Sequence, residues 1–286
     1  MKRYIKERDG VLEVGQALYT KRFTLRLERS LCRGCELCKL VCPREAITLV
    51  PQSDQDGKAL PPLVDVDENK CDFHGICAVV CPFGAITISM NGEDGIPAVA
   101  KGVFPTLTRD LSIDAERCQP GCTKCAEACP LDIIDVNEER GATAAARCAG
   151  CAGCQICWMA CPTDAIEVTK FIEGSIKIDA DICPEGCHRC LDVCPVNAMA
   201  LDEDGKVYVT DMNCIYCGAC AQVCPREGAL RIERTAIRHS PVNSGAWHKG
   251  LEKLTSATGL MRELSAENTA KAREATKNLE AAEGKA

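Results

Sequence analysis

The chain of 286 residues is 4% aromatic, contains 24 cysteines and carries a formal net charge of −7. So few aromatic side chains leave little material for a large apolar core, and so many thiols point to an interior organised around inorganic groups. The negative charge argues against nucleic-acid binding, which needs basic side chains clustered on one face. Met1 to Gly10 (MKRYIKERDG) lacks the apolar stretch of a signal peptide, and no run approaches the roughly 18 apolar residues of a membrane helix. These features predict a cytoplasmic protein whose cysteines hold metal and do not form disulfides.

Residues 1–23 are rich in basic side chains (Lys2, Arg3, Lys6, Arg8, Lys21, Arg22) and read as a solvated N-terminal arm, with docking to an acidic redox surface as the alternative. Thr24-Leu25-Arg26-Leu27-Glu28 alternates as a first strand. Cys32, Cys35, Cys38 and Cys42-Pro43 then follow the spacing C-x2-C-x2-C-x3-C-P. Three closely spaced cysteines on a loop can wrap one iron–sulfur cubane, while the fourth, beside its proline, ligates a different cluster. One run therefore predicts a partner run.

The partner is Cys71, His74, Cys77 and Cys81-Pro82, with histidine in the slot of the second cysteine. Imidazole can ligate iron, as in Rieske centres, where it raises the potential. The other readings are a three-cysteine [3Fe–4S] site, or a cubane with a labile iron beside a hydrogen-bonding His74. Residues 91–112, opening on Asn91-Gly92 and containing Pro97 and Pro105, read as a linker.

The third run, Cys118, Cys122, Cys125 and Cys129-Pro130, opens with one extra residue. The fourth holds five cysteines, and counting back from Cys161-Pro162 makes Cys151, Cys154 and Cys157 the close triplet. Cys148 is then a spare thiol, an alternate ligand or a neighbour, and Trp158 reads as packing that keeps water off a cluster. The fifth run, Cys183, Cys187, Cys190 and Cys194-Pro195, repeats the bulged opening, and the sixth, Cys214, Cys217, Cys220 and Cys224-Pro225, is regular. That recurrence implies tandem duplication and consecutive pairing of the runs.

The predicted fold class is α+β: three tandem bacterial dicluster ferredoxin-like modules at 24–90, 113–170 and 171–233, with short hairpins and helices around the clusters. Ile176–Asp179 and Val207–Thr210 alternate as strands, and Asp204-Gly205 marks a turn. Beyond the last module, residues 234–286 lack cysteine. Leu251, Leu254, Met261 and Leu264 there fall near helical spacing, which predicts a docking helix weakened by about 1 kcal/mol at Gly259.

Cross-pairing of the fourth ligands yields six sites: Cys32, Cys35, Cys38 with Cys81; Cys71, His74, Cys77 with Cys42; Cys118, Cys122, Cys125 with Cys161; Cys151, Cys154, Cys157 with Cys129; Cys183, Cys187, Cys190 with Cys224; and Cys214, Cys217, Cys220 with Cys194. A cluster held by four protein ligands leaves no position open to substrate, so electron transfer is expected and bond chemistry is not. The chain shows no P-loop, G-x-G-x-x-G or Ser-His-Asp constellation, and no active site of its own is expected. His188 reads as a neighbour or surface residue, and a zinc ribbon fits these closely spaced runs poorly.

The six Cys-Pro runs resemble those of archaeal polyferredoxins. The segments CDFHGICAVVCPFGAITI from Cys71, GVFPTLTRDLSID and CQPGCTKCAEACPLDII are similar to the polyferredoxin component of formylmethanofuran dehydrogenase, within a resemblance covering roughly residues 24–232. It implies a protein that passes low-potential electrons to or from a tungsten or molybdenum enzyme reducing CO2 onto methanofuran, inside a large complex. The alternatives are a soluble polyferredoxin carrier or store, and an electron wire of a hydrogenase or heterodisulfide reductase.

Overall fold

The computed structural model describes residues 2–137, 141–144 and 151–261, together with Leu264, Ser265 and Thr269. Cys148 lies outside the described residues. The first part of the chain runs β1 (Lys2–Arg8), β2 (Val11–Ala17), β3 (Arg22–Glu28), α1 (Leu37–Val41), β4 (Ile47–Ser53), β5 (Ala59–Val66), α2 (Ile76–Val80), β6 (Ile86–Met90) and β7 (Glu93–Asp94). It continues through α3 (Pro97–Ala100), β8 (Leu111–Ile113), α4 (Lys124–Ala128), β9 (Ile134–Asn137), β10 (Gly141–Ala144), α5 (Ile156–Ala160) and β11 (Ile166–Val168). The remainder is β12 (Ile172–Ile178), α6 (Arg189–Asp192), β13 (Met199–Leu201), β14 (Val207–Val209), α7 (Ala219–Val223), β15 (Leu230–Ile237) and α8 (Gly245–Leu254).

One topology recurs three times. The strand entering the first run of each pair is antiparallel to the strand leaving the second: β3 with β6, β8 with β11, and β12 with β15. Between the runs lies a two-stranded ribbon, β4–β5, β9–β10 or β13–β14. The helices of the runs are one turn long for a local reason. Proline disfavours the helical conformation in the residue before it, so Cys42, Cys81, Cys129, Cys161 and Cys224 end their helices in extended backbone with ψ between 111 and 121°.

The N-terminal arm is instead part of a sheet. β1 and β2 form a hairpin around Asp9-Gly10, both with positive φ, and join the five-stranded order β1-β2-β3-β6-β7. Leu12 and Val14 point into the core, and of the arm's basic side chains Lys6 is matched across strands, beside Arg26 and Arg29 further on. Lys6 pairs with Glu13 at 2.9 Å, Arg26 with the same carboxylate at 3.3 Å and Arg29 with Glu7 at 3.0 Å. The charge run is thus the outer face of a sheet, and its pairs are of the cross-strand kind.

The expected linker and docking tail clasp each other. Ser240 donates its N–H to the Thr106 carbonyl (2.8 Å), Thr106 donates to the Ser240 hydroxyl (3.0 Å), and Thr108 donates to the Arg238 carbonyl (3.0 Å). Helix α8 then lies on α1, with Trp247 and Leu251 fully buried and Leu254 nearly so. Trp247 donates its indole N–H to His239 Nε2 at 3.1 Å. At Gly259, any Cβ would collide with the Thr235 carbonyl oxygen, so only glycine lets the following turn close on β15. The stripe predicted to meet a partner therefore meets the chain's own first module, as Leu251 and Leu254 need an apolar cover and α1 supplies it; Met261 stays exposed. Replacing Trp247 with alanine should cost about 3–5 kcal/mol, read as a lowered denaturation midpoint of the iron-loaded protein.

Candidate iron–sulfur sites

Each run is shaped by two backbone turns. The residue just before the second ligand position has positive φ in every run: Gly34 (61°), Phe73 (61°), Gly121 (73°), Gly153 (73°), Gly186 (71°) and Tyr216 (50°). For a bulky residue such as Phe73 this conformation costs on the order of 1–3 kcal/mol and persists only when its surroundings impose it. Phe73 is buried and stacked on Phe23, with ring centroids 6.2 Å apart. The same turn therefore delivers His74 to the slot that Cys35, Cys154 and Cys217 occupy elsewhere. A second turn after the Cys-Pro pair returns a backbone N–H to the fourth sulfur: Ala46 to Cys42 Sγ (3.3 Å), Ala165 to Cys161 Sγ (3.3 Å) and Ala198 to Cys194 Sγ (3.2 Å).

The thiols gather across runs. Cys81 interacts electrostatically with Cys32, Cys35 and Cys38, and Cys42 does so with Cys71 and Cys77. Cys129 stands in the same relation to Cys151, Cys154 and Cys157. Cys125 interacts with Cys118 and Cys122, and Cys118 and Cys161 pack on the apolar cluster that holds Cys125. In the last module one cavity is bordered by Cys183, Cys187, Cys190 and Cys224, and a second by Cys194, Cys214, Cys217 and Cys220.

Burial pushes several of these thiols up, chiefly because a thiolate loses its hydration there. Cys71, Cys154 and Cys190 reach about 11, and Cys157 and Cys217 about 12. Neighbouring sulfurs add to the rise in each group. All 23 described cysteines are free of disulfides. Soft sulfur donors, gathered in groups, buried or half-buried, and in part unfavourable as bare thiolates, fit a group that brings its own positive metal charge.

At the second run the fit extends to His74. Its Nδ1 is 2.5 Å from Asp72 Oδ1, and Phe104 meets the ring edge-on at 5.8 Å between centroids. Nε2 is buried without a hydrogen-bond partner. A metal-bound imidazole characteristically donates its far N–H to a carboxylate in this way. His188 is a surface residue, 3.9 Å from Asp192. Trp158, expected as a water shield, is 41% exposed, so much of its own ring faces solvent.

Sequence reasoning passed over Asp72, two positions before His74 and recoverable from that spacing. It also missed Arg109 and Lys170, which lie between modules and carry no motif. Arg109 donates to the Pro82 carbonyl at 2.9 Å and to the Cys81 carbonyl, with its guanidinium 4.9 Å from the Phe171 ring centre. Lys170 donates to the carbonyls of Asp211 (2.6 Å) and Cys214 (3.0 Å).

Comparison with known proteins places this architecture. The family model of the 4Fe-4S dicluster domain matches residues 31–85, 150–198 and 182–228. A component of the Na(+)-translocating ferredoxin:NAD(+) oxidoreductase complex of Acetobacterium woodii is 38% identical over 151 residues, which are 48% of this chain and 38% of that one. The chain thus spans well under half the length of that relative. An uncharacterized ferredoxin of Methanocaldococcus jannaschii is 33% identical over 60 residues, 21% of this chain and 95% of its own length. Among solved structures, a chain of the formate dehydrogenase–heterodisulfide reductase–formylmethanofuran dehydrogenase complex of Methanospirillum hungatei aligns with a TM-score of 0.77 and 30% identity, over 89% of this chain and 92% of that one.

The chain belongs to the 4Fe-4S dicluster ferredoxins. It is a polyferredoxin-like electron-transfer protein with several clusters. The overlapping matches at 150–198 and 182–228 arise because any two successive runs resemble a dicluster unit; the strand pairing joins the third run to the fourth and the fifth to the sixth. Among the described residues, no helix is long and apolar enough to cross a membrane.

The raised thiols set a pH dependence for the iron-free protein. An ordinary thiol titrates near 9, whereas Cys71 and Cys157 are held at about 11 and about 12 in the fold. Their contribution is complete below about 9 and is lost as pH rises through the folded values. The melting temperature of the iron-free chain should fall between pH 9 and 12, and that of the loaded chain, whose thiolates are already metal-bound, should not show this step.

Proposed function

We propose that this chain is the multi-cluster electron-transfer subunit of a formylmethanofuran dehydrogenase-type CO2-reducing assembly, passing low-potential electrons to or from its pterin-enzyme subunits. The observation that carries this reading is the likeness, over nearly the whole of both chains, to a component of the methanogen complex. The same complex contains heterodisulfide reductase, so a wire serving that enzyme is the second reading.

In this proposal six sites are held by the cross-paired sets: Cys32, Cys35, Cys38 and Cys81; Cys71, His74, Cys77 and Cys42; Cys118, Cys122, Cys125 and Cys161; Cys151, Cys154, Cys157 and Cys129; Cys183, Cys187, Cys190 and Cys224; and Cys214, Cys217, Cys220 and Cys194. A bound cluster supplies one-electron exchange at each. The protein's part is to gather the thiolates, keep water away with the surrounding apolar side chains, and donate N–H bonds to sulfur, a known control on potential. His74 binds through Nε2, and Asp72 holds its ring in that orientation.

Two measurements check these assignments. Anaerobic affinity capture of the tagged chain from its native source should return a tungsten or molybdenum pterin subunit; recovery of heterodisulfide reductase subunits alone would move the assignment to the second reading. In the reconstituted chain, His74→Cys should keep the iron content and lower the midpoint of one site, since thiolate replaces a neutral ligand. His74→Ala should lose iron at that same site. Unchanged iron and unchanged midpoints in both variants would remove His74 from the ligand set.

A further inference from the structure

We propose that three of the six sites, one from each module, meet at a central junction, and that Arg109 and Lys170 are the cations that join them there. This rests on the ligand sets proposed above. The first and third modules touch directly at their inner sites. The Glu36 N–H, beside Cys35, donates to the Cys217 carbonyl at 3.4 Å, and Cys35 and Cys217 interact electrostatically. Glu36 also accepts from Gln222 (2.8 Å) and from Arg234 (2.6 Å), and a Cβ at Gly218 would stand 2.6 Å from Glu36 Cγ. The contact is close, polar and partly buried.

Arg109 closes the second side. Anchored on the Pro82 and Cys81 carbonyls, it faces both Cys81 of the first module and Cys151 of the second. Lys170 closes the third side, for its ammonium sits on the Cys214 carbonyl 5.4 Å from the Tyr216 ring centre and faces both Cys214 of the third module and Cys154 of the second. The three pairings thus connect the Cys32-to-Cys81 set, the Cys129-to-Cys157 set and the Cys194-to-Cys220 set in a closed triangle. Of the other sets, two carry half-exposed cysteines, Cys118 and Cys122 in one and Cys183 and Cys187 in the other, whereas Cys42, Cys71 and Cys77 are buried within the first module. The arrangement is a three-way branch and not a linear wire.

The chemistry follows from charge. Each oxidised cubane with four thiolates carries roughly −2, and neighbouring clusters disfavour each other's reduction most where water is excluded. A cation fixed between two clusters offsets that repulsion and raises both potentials. Arg109 and Lys170 therefore act as positioning charges, and the Cys129-to-Cys157 site feels both.

The test is an EPR-monitored redox titration of the full iron-loaded chain. Arg109→Gln should shift two midpoints downward, and Lys170→Gln should shift two, with a single site common to both variants. In the double variant that common site should move by about the sum of the single shifts and its two neighbours by one shift each. Arg109→Lys and Lys170→Arg should restore the midpoints. Single-site shifts, or two pairs with no member in common, would overturn the junction. If either glutamine variant loads less iron, Arg109→Met and Lys170→Met, which keep the apolar stems in place, carry the same test. A failed affinity capture with the shared shift present would remove the proposed partner and leave the junction standing.

Discussion

A thiolate in a protein interior is unfavourable, and four of them together are more so, because each loses hydration and repels the rest. The fold of this chain is arranged around that constraint. Its short helices and narrow ribbons pack cysteines into the core with Leu, Ile and Val side chains, while aromatic side chains are scarce. Thiols gathered in fours are a liability without metal and a framework with it. Each pair of runs closes as one strand-paired unit, which is what the proposed exchange of fourth ligands between neighbouring runs requires.

The repeat was legible because its causes are local. Cysteine before proline caps the helix at Cys42, Cys81, Cys129, Cys161 and Cys224, and alternation in Leu25, Leu27, Ile86 and Ile88 marks strands with one buried face. What stayed hidden is long-range. Lys6 and Arg26 look like solvated charges until Glu13 is seen between them, and the Leu251 stripe looks free until α1 lies under it. Arg109 sits in a stretch that reads as linker, and no local pattern reveals that its guanidinium reaches back to Cys81.

His74 was only half legible. Its identity is a departure from the repeat, its place in sequence is in register with the repeat, and the strained φ of Phe73 shows that the backbone treats it as a member. Asp72 and the buried Nε2 add chemistry that spacing could not supply. A structural neighbour from a multi-enzyme complex and relatives from oxidoreductases agree with this picture of a conducting module, in which differences between sites carry the information.

The clasp between residues 104–110 and 238–240, with α8 closing over α1, has a consequence for biogenesis. Glu36 and Arg234 are separated by 198 positions, so their contact is of very high sequence separation. Each module can gather its two runs soon after they leave the ribosome, but the face of the first module that α8 covers stays bare until the last part of the chain has been made. Synthesis therefore passes through a stage with an uncovered apolar face on an already compact module, the kind of surface on which chaperones act and aggregation begins.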